Sequence, residues 1–262
     1  VAHAELALRD LADGAKRAPA WLALGWNDVR QRYRRSTLGP LWLTISTAIL
    51  IAAMGPLYGK LFGQAGSEYI LHLAVGIVVW QAMAGVANDA CTTFTASDAF
   101  IKQMSLPLSF YAYRIVWRNF ILFLHNALVL VPIFYLFDAA PAPRALFMVA
   151  GVAFLLADAI WMALLLGMLC ARFRDVPQII ANLVQVSFFL TPIIWSAPML
   201  GRHEHFLMLN PFYHVLELIR RPLIGSAVGP ELYLGAGVVF VFGAIVTVLL
   251  FARLRTRIAF WL

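Results

Sequence analysis

The sequence predicts an all-α polytopic membrane protein. It has six transmembrane helices, an N-terminal amphipathic interfacial helix, and short re-entrant or interfacial helices between spans five and six. Three observations carry this. Of 262 residues, 62% are hydrophobic and 13% charged, and the mean hydropathy is +0.81. Soluble domains sit nearer half apolar and a quarter charged, so one water-facing core cannot hold this excess. Apolar runs matching the roughly 20 residues that a bilayer core requires recur along the chain. Lys and Arg gather in alternate connections, as they do on the cytoplasmic side of polytopic proteins.

The elements follow in order. Residues 1–36 form a cytoplasmic segment, and 37–262 a single transmembrane domain. The first 20 residues are polar and mixed, unlike a cleavable export signal. "PAWLALGWNDVRQRYRRS" mixes Trp21, Leu22, Leu24, Trp26, Val29 and Tyr33 with arginines at helical spacing. Such a helix lies in the interface, with Trp and Tyr at headgroup level. Gly39-Pro40 then breaks the helix at the membrane edge. Spans are expected near 41–61, 69–90, 115–137, 145–170, 179–195 and 232–251. Between the last two, Pro192, Pro198, Pro211, Pro222 and Pro230 interrupt apolar pieces too short to cross, giving a re-entrant outer region near 196–228.

Orientation follows from the cations. Lys16, Arg17, the Arg30–Arg35 cluster, Lys102, Arg114, Arg118, Arg172, Arg174, Arg253, Arg255 and Arg257 fall on one side. The other side carries Lys60, Arg144, Arg202, Arg220 and Arg221. Both termini are therefore expected in the cytoplasm. This topology accounts for the net charge of +7 without a nucleic-acid partner, and no basic module with interleaved aromatics is present. Cys91 and Cys170 sit at the ends of apolar segments and form no C-x-x-C motif. His203, Glu204 and His205 lack zinc spacing, so no metal site is expected. Asp158, His125 and Asp89 fall within spans; Asp158 is expected at a helix contact or facing a cavity.

Five strings taken in order resemble the membrane subunits of type-2 ATP-binding-cassette exporters for cell-surface polysaccharide. They are "RYRRSTLGPLWLTIS", "IKQMSLPLSFYAYR", "RFRDVPQI", "TPIIW" and "LNPFYHVLELIRRPL". These are the permeases for O-antigen, capsule or teichoic acid chains, and "LGPLW" is closest to the O-antigen branch. The resemblance implies a homodimer in the bacterial inner membrane that moves lipid-linked polysaccharide through a channel between subunits. No G-x-x-x-x-G-K-[ST] string is present, so ATP and Mg are expected on a separate nucleotide-binding subunit, with no cofactor in this chain. The charged loop with Arg172, Arg174, Asp175 and Val176 is the candidate coupling element, with Lys102 as a further contact. Pro177 suits a helix start and Asp175 its cap.

Arg30, Arg32, Arg34, Arg35 and Arg118 are candidates for recruiting the phosphate of a lipid-linked head, since guanidinium grips phosphate bidentately. Contact with bulk anionic lipid explains them equally well. A sugar chain slides best along aromatic planes with scattered amides. That points to Gln185, Phe188, Phe189, Trp195, Phe212 and Tyr213 as channel lining. Ordinary belt and packing roles compete for each aromatic. The rival functions are an exporter of small lipids or drugs with the same architecture, a secondary transporter, and a membrane-embedded glycan-modifying enzyme. A secondary transporter would show inverted repeats and paired buried charges. An enzyme would need a catalytic cluster on one membrane face.

Overall fold

A computed structural model describes residues 2–34, 36–39, 41–64, 66–139 and 143–262; side chains at 2–4 and 143 are not described. The described residues are helical throughout their regular elements and include no strand. Two N-terminal helices, α1 (Ala2–Lys16) and α2 (Ala18–Arg32), precede α3 (Leu41–Leu61) and α4 (Ser67–Ala90). A short α5 (Asp98–Gln103) leads to α6 (Leu108–Ala127) and α7 (Leu130–Leu136), then α8 (Met148–Arg172) and α9 (Val176–Leu190). A 3-10 stretch, Ala197–Leu209, leads to α10 (Pro211–Leu223), α11 (Pro230–Leu254) and α12 (Ile258–Trp261).

Five helical segments are long and apolar enough to cross a membrane: Leu41–Leu61, Ser67–Ala90, Leu108–Leu136, Arg144–Arg172 and Pro230–Trp261. The fifth expected span is different. Its helix, α9, has 15 residues, about 22 Å at 1.5 Å per residue, against a hydrocarbon core of roughly 30 Å. Thr191 and Pro192 end it, and the chain runs on without helix through Trp195. Pro192 has no N–H to extend the ladder.

The central helix is α4. Buried side chains surround it, and α3, α6, α8, α9 and α10 all pack on it. Gly, Ala, Val and Ile dominate its sequence, giving an apolar surface on most sides, as a helix enclosed by other helices requires; Gln81, Asn88 and Asp89 form the polar exception. The third span is one path of two helices, α6 and α7. Pro132 lies in α7, where it cannot donate to the Leu128 carbonyl. At the junction the His125 carbonyl accepts a hydrogen bond from Thr44 Oγ1 at 2.6 Å, so α3 satisfies part of the break.

Two ends of the bundle can be told apart. One gathers α1, α2, α5, the turn between α8 and α9, and α12, together with most of the cations. Both α1 and α12 lie there, because α1 packs on α6 and α11 while α12 packs on α5 and α8. We call this the basic end. At the opposite end Tyr69 Oη donates to the Ile194 carbonyl at 2.7 Å and Gln64 to Ser196 at 2.9 Å. These bonds tie the segment after α9 to the start of α4.

The N-terminal segment differs from expectation. It is two helices rather than one, and both are docked on protein. Asp10 of α1 accepts from the backbone N–H of Leu108 (3.2 Å) and Ser109 (3.0 Å), capping α6 from outside its own sequence. Arg114 of α6 donates twice to Asp28 of α2, at 2.7 and 2.6 Å, and Trp117 Nε1 donates to the Leu22 carbonyl. Gly25 makes this approach possible. A Cβ there would stand 2.8 Å from the Trp117 ring and 3.1 Å from the Arg114 carbonyl. After α2, Gly39 takes φ +57°, a left-handed turn that glycine adopts without steric cost, and its N–H bonds Ser36 Oγ.

Candidate functional site

At the basic end, the turn after α8 presents Arg172, Phe173, Arg174 and Asp175 to solvent, with Val176 half-buried. Arg172 holds its guanidinium over the rings of Phe173 and Trp261, at 5.3 and 5.1 Å. Pro177 sits in the first turn of α9, as the sequence suggested. Asp175 holds the cap position but is in a helical conformation, and its side chain accepts no capping bond. Its carboxylate therefore stays available to a partner. Lys102 is exposed on α5 and pairs with Asp98 at 2.8 Å, an i,i+4 pair worth a few tenths of a kcal/mol. Through α12, which touches both α5 and α8, the Lys102 element and the charged turn share one face of the bundle.

The arginine cluster divides. Arg30, Arg32 and Arg34 are exposed at and just beyond the end of α2, while Arg35 lies outside the described residues. No ion pair engages the first three among the described residues. Arg118 is placed differently. Its Nη2 is 2.7 Å from Asp89 Oδ2, an oxygen that also accepts from Asn119 Nδ2 at 3.0 Å. That pair offsets the charge of the acid at the basic end of α4 and holds Arg118 against α4.

Of the channel-lining candidates, Gln185 and Phe189 are exposed on α9, whereas Phe188 and Trp195 are half-buried. Phe188 lies edge-on to Phe189 at 5.3 Å and tilted against Trp80 at 5.7 Å. Trp195 donates its indole N–H to the Phe189 carbonyl. Phe212 packs edge-on against Trp80 at 5.3 Å. Tyr213 does not line an open surface in this chain. It is 1% exposed, inside the bundle, and its hydroxyl accepts from Arg221.

Around α9 the exposed side chains fall into two stripes. Gln178, Asn182, Gln185 and Phe189 recur at helical spacing on one flank. Ile179, Leu183, Val186 and Leu190 form the other, and Val184 is buried between α9 and the bundle. Gln178 and Asn182 hydrogen-bond to each other along the first stripe, at 3.2 Å. Exposed amides recurring along an apolar helix are costly against lipid tails.

The sequence reading missed a charged cluster at the opposite end. Arg220 of α10 is 1% exposed. Its Nη1 donates to the Pro192 carbonyl at 2.7 Å and lies 3.0 Å from His72 Nε2. Its Nη2 donates to Glu217, whose other oxygen accepts from Arg221 at 3.0 Å. Burial raises the Glu217 pKa, but the two guanidiniums outweigh it and hold the carboxyl below its ordinary value near 4.5. The signal available was Glu217 followed by arginines at i+3 and i+4. The cluster locks α10, α4 and the bend after α9 together.

The sequence profile of the ABC-2 type transporter family matches residues 19–224. The chain belongs to that family. It is a membrane permease, a transport subunit rather than an enzyme, and such permeases work with an ABC nucleotide-binding subunit. Two curated proteins from Klebsiella pneumoniae, both named O-antigen export system permease protein RfbA, are 23% identical to it over 240 residues. The alignment covers 88% of this permease and 90% of each relative. The family match begins with α2 and ends with α10, so it spans the docked entry helix, the charged turn, the α9 stripes and the Glu217–Arg220 cluster.

Three further residues singled out in the sequence have defined places in the permease. Asp158 accepts from the indole of Trp161, in the same helix, at 2.8 Å and borders a cavity of about 100 Å³ shared with Phe212, so it faces a cavity. His203 and His205 are exposed on the 3-10 stretch, His203 stacked with Phe206 at 6.1 Å and His205 tilted against it at 4.4 Å.

Proposed function

We propose that the permease is the channel-forming subunit of an ATP-driven exporter that moves lipid-linked polysaccharide of the O-antigen type out of the cytoplasm. One observation carries the conduit: the exposed stripe of Gln178, Asn182, Gln185 and Phe189 on α9. Amides on a membrane helix seek water or a polar partner. One copy leaves the stripe open, so a second copy related by a two-fold axis closes a wet path along it. Phe189, with Phe188 and Trp195 behind it, offers apolar planes to sugar C–H faces. The amides exchange hydrogen bonds with hydroxyls without trapping the chain. The names of the Klebsiella relatives support a polysaccharide cargo.

In this reading the basic end faces the cytoplasm of a bacterial inner membrane, and both termini lie there. α9 and the bend after it complete the sixth crossing. The nucleotide-binding subunit binds ATP and Mg and pushes on Arg172, Arg174, Asp175 and Val176, with Lys102 alongside. Arg30, Arg32 and Arg34, with Arg35, meet the phosphate of the lipid-linked head.

The test is to delete the gene and locate the glycan. Surface polysaccharide is labelled, and lipid-linked glycan is extracted from inner-membrane fractions. Glycan trapped on the cytoplasmic face, rescued by wild type but not by Asn182→Leu with Gln185→Leu, is the expected result. Normal surface glycan, with no second exporter in the cell, refutes the cargo and leaves an exporter of small lipids or drugs.

A further inference from the structure

A second polar space lies away from α9. It is a cavity of about 260 Å³ among the end of α2, α3, α4 and α6. Gln81, Gly85, Asn88 and Asp89 line it from α4, and Asn119 and Asn126 from α6. Both sets recur at helical spacing, so each helix turns one polar strip into the same space. The strip on α4 runs from Gln81 to Asp89, about 12 Å of helix, reaching from mid-helix to the basic end. Arg32 and Tyr33 border the cavity where it meets α2.

The lining is built, not incidental. Gln81 Oε1 accepts from both Thr47 Oγ1 (2.9 Å) and Asn126 Nδ2 (2.7 Å), fixing the two amides. Asn126 is 2% exposed, and its Oδ1 is buried without a partner among the described residues. Asp89 receives both of its bonds on Oδ2, and Oδ1 takes none among the described residues. A buried acceptor left as Asn126 Oδ1 is calls for a ligand or ordered water, and the half-buried Asp89 Oδ1 stays free to accept from one.

The wall also defines the ligand. Asp89 is already matched by Arg118, so beyond Arg32 at its mouth the wall has little net charge to offer a cation or an anion. It offers carboxamides and a carboxylate oxygen, which take hydrogen bonds from hydroxyl groups. Leu43, Leu122 and Phe123 supply apolar surface beside them. Hydroxyls on one rim and C–H on a face describe a pyranose ring.

We propose that this cavity binds one neutral sugar residue, admitted from the basic end, with Asp89, Asn88 and Asn119 as its hydrogen-bonding groups. The export reading bears only on which sugar arrives: the ring nearest the lipid phosphate, whose phosphate would then lie toward Arg32. The site would hold the first ring of a substrate within one subunit before the chain reaches the path along α9.

The experiment uses purified full-length permease in detergent, with D-glucose, D-galactose and N-acetylglucosamine as probes in saturation-transfer NMR. Wild type is expected to give saturation transfer to at least one sugar. Ala82→Phe, which fills the cavity without removing a polar group, and Asn88→Leu, at an exposed position, should each cut that signal at least fivefold with unchanged melting temperature. Sodium phosphate should not compete. Signals equal in wild type and both variants, or none with any probe, leave a hydrated cavity only and overturn the proposal. Because the probes are free sugars, this outcome is independent of the deletion experiment. Trapped glycan with no sugar binding here removes the site and keeps the exporter.

Discussion

Arg220 is 1% exposed and shares the Glu217 carboxylate with Arg221 while bonding the Pro192 carbonyl. Removing one member of such a group leaves a buried charge without its partner, which costs about 3–5 kcal/mol. Glu217→Gln is therefore expected to lower the melting temperature of the detergent-solubilised permease sharply. The loss should exceed that for Arg174→Ala, which stands in solvent. The pH dependence has a definite sign. The carboxyl titrates below its ordinary value near 4.5 in the folded chain, so its contribution is complete above that value. It is lost as acid carries the pH down through the depressed folded value. A melting profile from neutral pH to about pH 3 should fall steeply at the acid limit in wild type and less steeply in Glu217→Gln. Equal slopes would mean that the acid limb belongs to other carboxylates.

At the scale of elements, α2 packs closely on α6, and its polar ties are the Asp28–Arg114 pair and the Trp117 indole, beside the close approach at Gly25 and the Trp21–Tyr113 ring contact. The pair is about one-sixth exposed on each side, so its bidentate bonds are partly shielded from water. Hydrogen bonds to charged groups of this kind contribute about 1.5–3 kcal/mol. Asp28→Ala should loosen α2 without unfolding the bundle, because α4 and its neighbours do not depend on it. Limited trypsin digestion would then cut at Arg30 and Arg32 sooner, with the spans intact. Unchanged cleavage would show that α2 is held by its apolar contacts alone. Asp10, capping α6 from α1, ties the remaining N-terminal helix to the same element. One helix, α6, thus carries both N-terminal helices and a wall of the polar cavity.

For the whole molecule, a partner that hydrolyses ATP must act on groups that are exposed and free to form new bonds. Arg174 and Asp175 meet this condition: both are exposed, and the Asp175 carboxylate spends no bond on its own helix. Arg174→Ala with Asp175→Ala is expected to leave ATP hydrolysis by the assembled complex near its wild-type level while cutting glycan export at least tenfold. Export at the wild-type rate would remove this turn from the coupling path. Since α9 starts at that turn and carries the polar stripe, a push there moves the wall of the proposed conduit directly.

The sequence by itself determined the class of the molecule, its apolar helices and their cationic flanks, because burial in lipid needs only length and composition. It also placed the break at Gly39 and the start of α9 at Pro177, which are local backbone constraints. Exposed arginines and the amides of α9 were legible as types at a spacing. The tertiary structure alone decided the rest. Tyr213 reads as channel lining in sequence, yet packing of α10 against α11 and the 3-10 stretch buries it. Arg118 reads in sequence as a candidate for the lipid-linked head, while its ion-pair partner Asp89 lies 29 residues away in sequence and 2.7 Å away in space. Asp10 caps a helix 98 residues further on. Gln81, Asn88, Asn119 and Asn126 are scattered amides until α4 and α6 pack side by side. Periodicity tells which face of a helix is polar. Which polar faces meet is set by long-range packing, and no local pattern encodes it.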